Sequence, residues 1–325
     1  MSPVPRLGIG LPVYNGERYL RPVLECLRRQ TWTDFEVTIC DNASTDATAR
    51  IATEFAAADP RFRYTRNEEN IGAPGNFNRV FAHSRAALFA WVAADDEYDP
   101  SYFQRCVELL DARPDAVGAF TKVRLIDEHS APLGFPAELI RLDDPDPAVR
   151  FADLASFRHS CFSVFGVYRR DAIARTRGLL PFWNADRVLL AELALQGPVA
   201  VYPAPLYLNR QHPRRLTSRA AKRDIRDYSS EAAPRALTWY YAGQLWKAIQ
   251  HADIEETQRR RLQRAFASWT LRNPGKLARS AMRGALESAR DLTPVRKGGV
   301  TIGGGMGLTW ATMELASALP SGIGF

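Results

Sequence analysis

Short continuous apolar runs alternate along this chain with stretches in which apolar residues return every three to four positions. That pattern marks strands buried on both faces alternating with amphipathic helices. Residues 6–14 form the first run, which stops at a turn on Asn15-Gly16. The helix that follows carries Tyr19, Leu20, Val23, Leu24 and Leu27 on one face and arginines on the other. Phe35–Cys40 reads as a second strand, closed by Asp41-Asn42-Ala43-Ser44-Thr45-Asp46 and followed by a helix to about residue 57. Residues 61–65 make a third strand, Asn70–Asn76 a loop, 74–85 a helix and 88–92 a fourth strand. Strand and helix in strict alternation predict right-handed crossovers and an α/β fold, a mostly parallel sheet flanked by helices.

Beyond a helix at about 100–112 the sequence predicts strands at 116–126, 160–168 and 199–208, a helix over 187–195, and a Pro/Asp-rich connection over 128–147. From residue 219 the texture turns almost wholly helical. It is broken at Asn273-Pro274-Gly275 and resumes as a basic amphipathic segment, Lys276–Arg290. Residues 298–325 are apolar and Gly-rich, interrupted by Glu314, and make a poor membrane span. The organisation expected is therefore one α/β domain over 1–218, a basic helical appendage over 219–297 and a tail over 298–325.

Charge refines this picture. Net charge is +7, yet residues 219–300 hold 17 Lys and Arg against 8 Asp and Glu, leaving −2 for everything else. The excess fits an anionic membrane surface, an acidic glycan or a solvated helix face. Because the arginines sit among Ala, Leu and Glu at helical intervals, no nucleic acid partner is expected. The four cysteines are far apart with no CxxC pair, and Met-Ser-Pro-Val-Pro-Arg runs straight into the first strand. Both features point to a cytoplasmic setting, with membrane association on the cytoplasmic face left open.

The chemistry concentrates at Trp91-Val92-Ala93-Ala94-Asp95-Asp96-Glu97-Tyr98-Asp99-Pro100, where the fourth strand runs into carboxylates. In an open α/β sheet such a strand end faces the ligand crevice. Adjacent carboxylates repel unless a cation or proton lies between them, and hard oxygen ligands suit Mg2+ or Mn2+ holding phosphate oxygens. A solvated turn capping the next helix is the plainer alternative. Neither GxGxxG nor GxxxxGK[ST] is present, so a phosphate here needs a metal rather than a glycine cradle.

Four separated motifs together resemble family 2 glycosyltransferases of the GT-A fold. They are Leu11-Pro12-Val13-Tyr14-Asn15-Gly16-Glu17, the Asp41–Asp46 segment, Asn70-Ile71-Gly72 through Asn76, and the acidic decapeptide. The resemblance covers residues 6 to about 127 well, a nucleotide-binding half, and 128–218 more loosely, an acceptor half. It implies that Pro12, Tyr14, Asn15, Glu17, Asp41, Ser44, Asn70, Gly72, Asn76, Asp96 and Arg210 contact a nucleotide-sugar donor, Asp41 by accepting a base N–H and Arg210 by a bidentate fork on the diphosphate. It further implies Asp95 and His212 as metal ligands, Mg2+ or Mn2+ as cofactor, and Asp186 as the base that deprotonates an acceptor hydroxyl.

The activity so implied is transfer, with inversion, of a sugar from a UDP- or dTDP-sugar to a hydroxyl of a glycan or lipid-linked acceptor. Ala93 stands where the family often has the first acid of its DxD motif, and the QxxRW signature of processive synthases is missing. A nucleotidyltransferase that makes nucleotide sugars, or a non-catalytic nucleotide- or glycan-binding module, are the rival readings.

Overall fold

The computed structural model describes residues 4–137, 140–157, 159–213, 215 and 236–292, with side chains to 286. The expected boundary near 218 and the tail 298–325 lie outside the described residues. Residues 1–285 make one compact unit and 286–325 a second.

The first half is built as the hydrophobic pattern dictates. Strands β1 (Leu7–Val13) and β2 (Phe35–Asp41) are buried along their whole length, and β3 (Phe62–Arg66) and β4 (Leu88–Trp91) flank them. Helices α1 (Glu17–Arg28), α2 (Thr48–Ala58) and α3 (Gly72–His83) make the crossovers. Helix α1 buries Tyr19, Leu20, Val23, Leu24 and Leu27, the face its spacing predicts. Helix α3 packs so close to β1 that a Cβ on Gly10 would sit 2.6 Å from Phe89 and 2.9 Å from Val80.

The sheet order is β3-β2-β1-β4-β8-β6-β9-β5, with β7 (Pro132–Gly134) pairing on β6 (Gly118–Ile126). It is parallel from β3 to β4 and mixed beyond, where β8 (Val167–Arg169) runs antiparallel between β4 and β6. Strand β9 (Val199–Arg210) pairs parallel with β6, and β5 (Glu97–Tyr98) antiparallel with β9. The acidic decapeptide therefore ends in a short edge strand, Glu97 opposite Leu208 and Tyr98 opposite Tyr207.

One expected strand is largely something else. Within 160–168, Cys161 takes a left-handed conformation (φ 58°), Phe162–Phe165 is a single 3-10 turn, and only Val167 onward is strand. A short buried apolar run does not distinguish the two states by pattern. Helix α4 (Tyr102–Ala112) donates the Tyr102 hydroxyl to the Phe165 carbonyl at 2.8 Å and closes the turn.

Helix α5 (Pro147–Ala155), the short α6 (Arg170–Ala174) and α7 (Ala185–Gln196) cover the second half of the sheet. The helical appendage shares this core. Helix α8 (Leu237–His251) donates the Tyr241 hydroxyl to Ala155 at 2.9 Å, and Trp269 of α9 (Glu256–Arg272) joins Tyr241 and Phe157 in an aromatic cluster. The helical texture breaks at Asn273, and α10 (Pro274–Leu292) follows. No helix of the described residues is long and apolar enough to cross a membrane.

Candidate active site

Proline decides where the crevice opens. The Val13 carbonyl accepts from the N–H of Asn42, the residue after β2, so Pro12, one residue back, faces its nitrogen toward β4 and has no N–H to offer. Pairing between β1 and β4 stops at Gly10 opposite Trp91, and the two strands part. Asp41 ends β2 opposite Val13, and Asp95 lies beyond β4 on the far side of β1. Two strand spacings, roughly 10 Å, separate β2 from β4, whose carboxyl ends lie on the same edge of the sheet. A Cβ on Gly16 would lie 3.9 Å from Ala94, so the turn after β1 adjoins the decapeptide.

The chain bends at Ala94 and Asp95, and the two neighbouring aspartates turn to different surroundings. Asp95 faces the crevice, its side chain 34% exposed, with Oδ2 3.0 Å from His212 Nε2. The His212 ring is 5% exposed and packs 4.8 Å from the ring of Tyr19, and its Nδ1 is buried with no hydrogen-bond partner among the described residues. Asp96 turns inward. It accepts from the Tyr207 hydroxyl, from Asn209 Nδ2 at 3.1 Å and from the Arg210 backbone N–H at 2.7 Å. Burial, then the charge of Asp95, pushes its carboxyl up to about 7.

Arg210 is 2% exposed, and its guanidinium is consumed internally. It donates to the Asp95 carbonyl at 2.8 Å, the Asp127 carbonyl at 3.0 Å, the Glu128 carbonyl at 3.1 Å and the Glu97 carboxylate. It thus ties the end of β9 to the decapeptide. We predict that Arg210→Lys, which keeps the charge but loses the fork, lowers stability by about 3 kcal/mol in urea unfolding. A change under about 0.5 kcal/mol removes this staple role.

Asp186 stands in the first turn of α7, entered through the left-handed Asn184 (φ 74°). Burial raises its pKa against the nearby Arg187 charge and a hydrogen bond from the Cys161 thiol. Next to it, Arg187 donates to the Ser156 carbonyl at 2.7 Å and the His159 carbonyl at 2.5 Å. The 3-10 turn after Cys161 places Phe162 and Phe165 against Tyr207, whose hydroxyl holds Asp96. One packed path therefore joins the base candidate to the acidic decapeptide.

His159 belongs to this wall. It is 4% exposed, with Nε2 2.8 Å from the Leu154 carbonyl and Nδ1 accepting from the Cys161 N–H at 3.2 Å. Burial, then Arg187, lowers its pKa to about 4. An unfolded imidazole titrates near 6.5, so between 6.5 and about 4 protons bind the unfolded chain preferentially. Stability is expected to fall by on the order of 3 kcal/mol as pH drops through that interval. Urea midpoints of wild type and His159→Gln across the interval check it: the variant should lose most of the slope, and an equal slope would assign it elsewhere.

On the other flank, Asp41 is fully buried. Its carboxylate accepts from the Ser44 N–H at 2.8 Å, the Tyr64 hydroxyl at 2.8 Å and Arg66 at 2.6 Å, while the Arg66 side chain is 42% exposed. Beneath it lies a buried amide network. Asn67 donates to Asn42 at 2.8 Å and Asn76 at 3.1 Å, Asn76 donates to the Cys40 carbonyl at 2.8 Å, and Asn42 donates to Asn70 at 2.6 Å. Gly72 opens α3 at φ 76°. Asn15 accepts from Thr45 N–H at 2.8 Å and Glu17 from Ala47 N–H at 3.0 Å, so both lace the turn after β1 to the turn after β2. Tyr14 stands 50% exposed at the lip.

With this geometry in place, comparison with known proteins is decisive on ancestry. The model of the family described as "Glycosyl transferase family 2" matches residues 9–175, just over half of the chain. The chain belongs to that family. An uncharacterized protein of Mycobacterium tuberculosis is 40% identical over 122 residues, 36% of this chain and 35% of that protein. The chain spans about a third of the length of the first curated relatives it matches. Among solved structures, S. aureus TarS 1-349 in complex with UDP-GlcNAc superposes with a TM-score of 0.61 at 15% identity, over 85% of this chain and 79% of that one. The mannosyltransferase PcManGT of Pyrobaculum calidifontis, in complex with GDP-Man and Mn2+, gives 0.54 at 17% identity, over 90% and 77%. At such identities the likeness shows the fold, and that fold is the GT-A arrangement.

Within this family 2 chain, several residues expected to touch a donor also hold internal contacts. Asp96 and Arg210 brace the decapeptide, Asn76 lies in the amide network, and the Ser44 hydroxyl accepts from Asn15 N–H at 2.9 Å. Pro12 is buried in β1. The reason is common to all: a polar group sealed in the sheet edge must find a partner there. Tyr19, Arg66, Cys161 and Tyr207 were not foreseen. Tyr19 and Tyr207 look like plain core positions in the pattern, and the left-handed Cys161 leaves no trace in composition.

Proposed function

We propose that this chain is a metal-dependent, inverting glycosyltransferase that moves one sugar from a UDP- or dTDP-linked donor to a hydroxyl of a glycan or lipid-linked acceptor. One observation carries the reading: an exposed Asp95 carboxylate oxygen 3.0 Å from a buried imidazole nitrogen of His212, on the carboxyl edge of a family 2 sheet.

Oxygen and imidazole donors suit a divalent ion, and 3.0 Å is the distance between adjacent corners of an octahedron with arms of about 2.1 Å. Among the described residues no cluster of three or more His, Cys, Asp or Glu can hold a metal. Asp95 and His212 would supply two ligands to such an ion, leaving diphosphate oxygens and water to complete its shell. The bound ion would neutralise charge that builds on the diphosphate leaving group.

The protein's own groups supply the remainder. Tyr19 and the Arg210 staple hold His212 and the Asp95 backbone in place before any ligand arrives. Asp186 receives the acceptor proton, and its burial-raised pKa makes it a stronger base than an ordinary carboxylate. On the nucleotide side, Asp41 offers an acceptor beside the cationic donors of Arg66. That pairing complements an imide edge, in which an N–H is flanked by carbonyls, as in uracil or thymine. The base takes the place of Arg66 on one Asp41 oxygen, and Arg66 turns to a base carbonyl.

Purified protein should turn over UDP- or dTDP-sugars from a panel that also holds GDP-sugars. Turnover should stop with a chelator and return with Mn2+ or Mg2+. Full activity in chelator would refute the metal site, and inertness toward every donor would refute the transferase reading.

A further inference from the structure

We propose that helix α10 seats the protein on an anionic lipid surface. The helix has two faces. Its inner face holds Leu277, 6% exposed, whose carbonyl accepts from Trp239 Nε1 at 3.1 Å, and Ser280, whose hydroxyl accepts from the Thr238 N–H at 3.0 Å. A surface helix that has docked one face normally shows water a polar one. Here the outward side carries Ala278, Met282, Ala285 and Leu286, spaced i, i+4, i+7 and i+8 into a second apolar stripe. Met282 is 65% exposed and Leu286 62%, while Leu271, just before the break into α10, is 80% exposed.

Charge chooses the occupant. From Thr257 to Leu286 the sequence contains no Asp or Glu and eight Arg and Lys. Arg260 pairs with Glu256 and Arg261 with Asp146, but Arg272, Arg279 and Arg283 are exposed and make no hydrogen bond or ion pair among the described residues. Arg279 and Arg283 flank the Met282 stripe along one side of the helix. An apolar stripe bordered by cations that pair with none of the described residues fits an interface whose headgroups are anionic and whose next layer is hydrocarbon. A protein groove would have to bury those guanidinium groups against matching carboxylates, a narrower requirement.

The inference rests on this surface alone and stands apart from the transferase reading. Full-length protein should co-sediment with vesicles of phosphatidylcholine mixed with phosphatidylglycerol, bind poorly to phosphatidylcholine alone, and be released by salt. Met282→Glu/Leu286→Glu and Arg279→Glu/Arg283→Glu should each weaken vesicle binding at least about tenfold. These side chains are exposed, so both variants should keep the wild-type circular dichroism and donor hydrolysis. Absence of binding to the anionic vesicles, or equal binding by both double variants, overturns the proposal. It is equally overturned if wild type dimerises in solution and Met282→Glu/Leu286→Glu is monomeric, because the stripe would then join two copies of the chain.

Discussion

Replacing Asp95 with alanine is expected to lower nucleotide-sugar turnover by about 10^3-fold or more while leaving the fold intact. The side chain is 34% exposed and its one hydrogen-bond partner among the described residues is His212, so its loss strands a single buried ring nitrogen. What disappears is the anionic ligand, and with it the cation that offsets leaving-group charge. Initial rates at saturating Mn2+ and calorimetric titration with the nucleoside diphosphate check both halves. Wild-type rates in Asp95→Ala, or metal-dependent binding of unchanged strength, would show that the ion, if used, sits elsewhere.

Asp186→Ala is expected to act on a different step. Transfer to the acceptor should fall by about 10^2 to 10^4-fold, the range a positioned general base supplies, while donor binding stays near wild type. Because burial lifts the Asp186 pKa, the wild-type rate should climb with pH above the ordinary carboxylate range, and the variant should lose that limb. Comparing transfer kcat, donor KM and the acid limb in the two proteins separates this from misfolding. A variant that transfers normally, or that loses donor affinity in proportion to rate, would remove Asp186 from the role of base.

The first half of the fold could be read from the chain because both periodicities there are clean. Residues of β1 and β4 are apolar throughout, β2 is buried along its whole length, and α1 repeats its buried face as drawn from the spacing. The second half was less legible, since Cys161–Phe165 has strand-like composition but folds as a left-handed residue and a 3-10 turn held by Tyr102 and Tyr168. In the site, motif resemblance located the segments, and the structure assigned directions within them. Nothing in Asp95-Asp96 as letters tells which carboxylate faces the crevice. The donors of Tyr207, Asn209 and the Arg210 amide, all gathered on Asp96, decide it. Likewise nothing in Arg210 as a letter reveals the five internal acceptors that hold its guanidinium.

The Arg210 and Asp96 braces carry a thermodynamic implication. Asp95 and His212 come from segments far apart in the chain, and besides their mutual hydrogen bond and the Tyr19 ring, backbone contacts around Arg210 and Asp96 hold their segments together. Such a seat is preorganised: the entropy of assembling it is already spent in folding, so the proposed cation would be captured with little rearrangement. Ion association should accordingly be rapid with a small heat-capacity change, and stripping the ion should shift the melting temperature only by the mass-action amount set by its affinity.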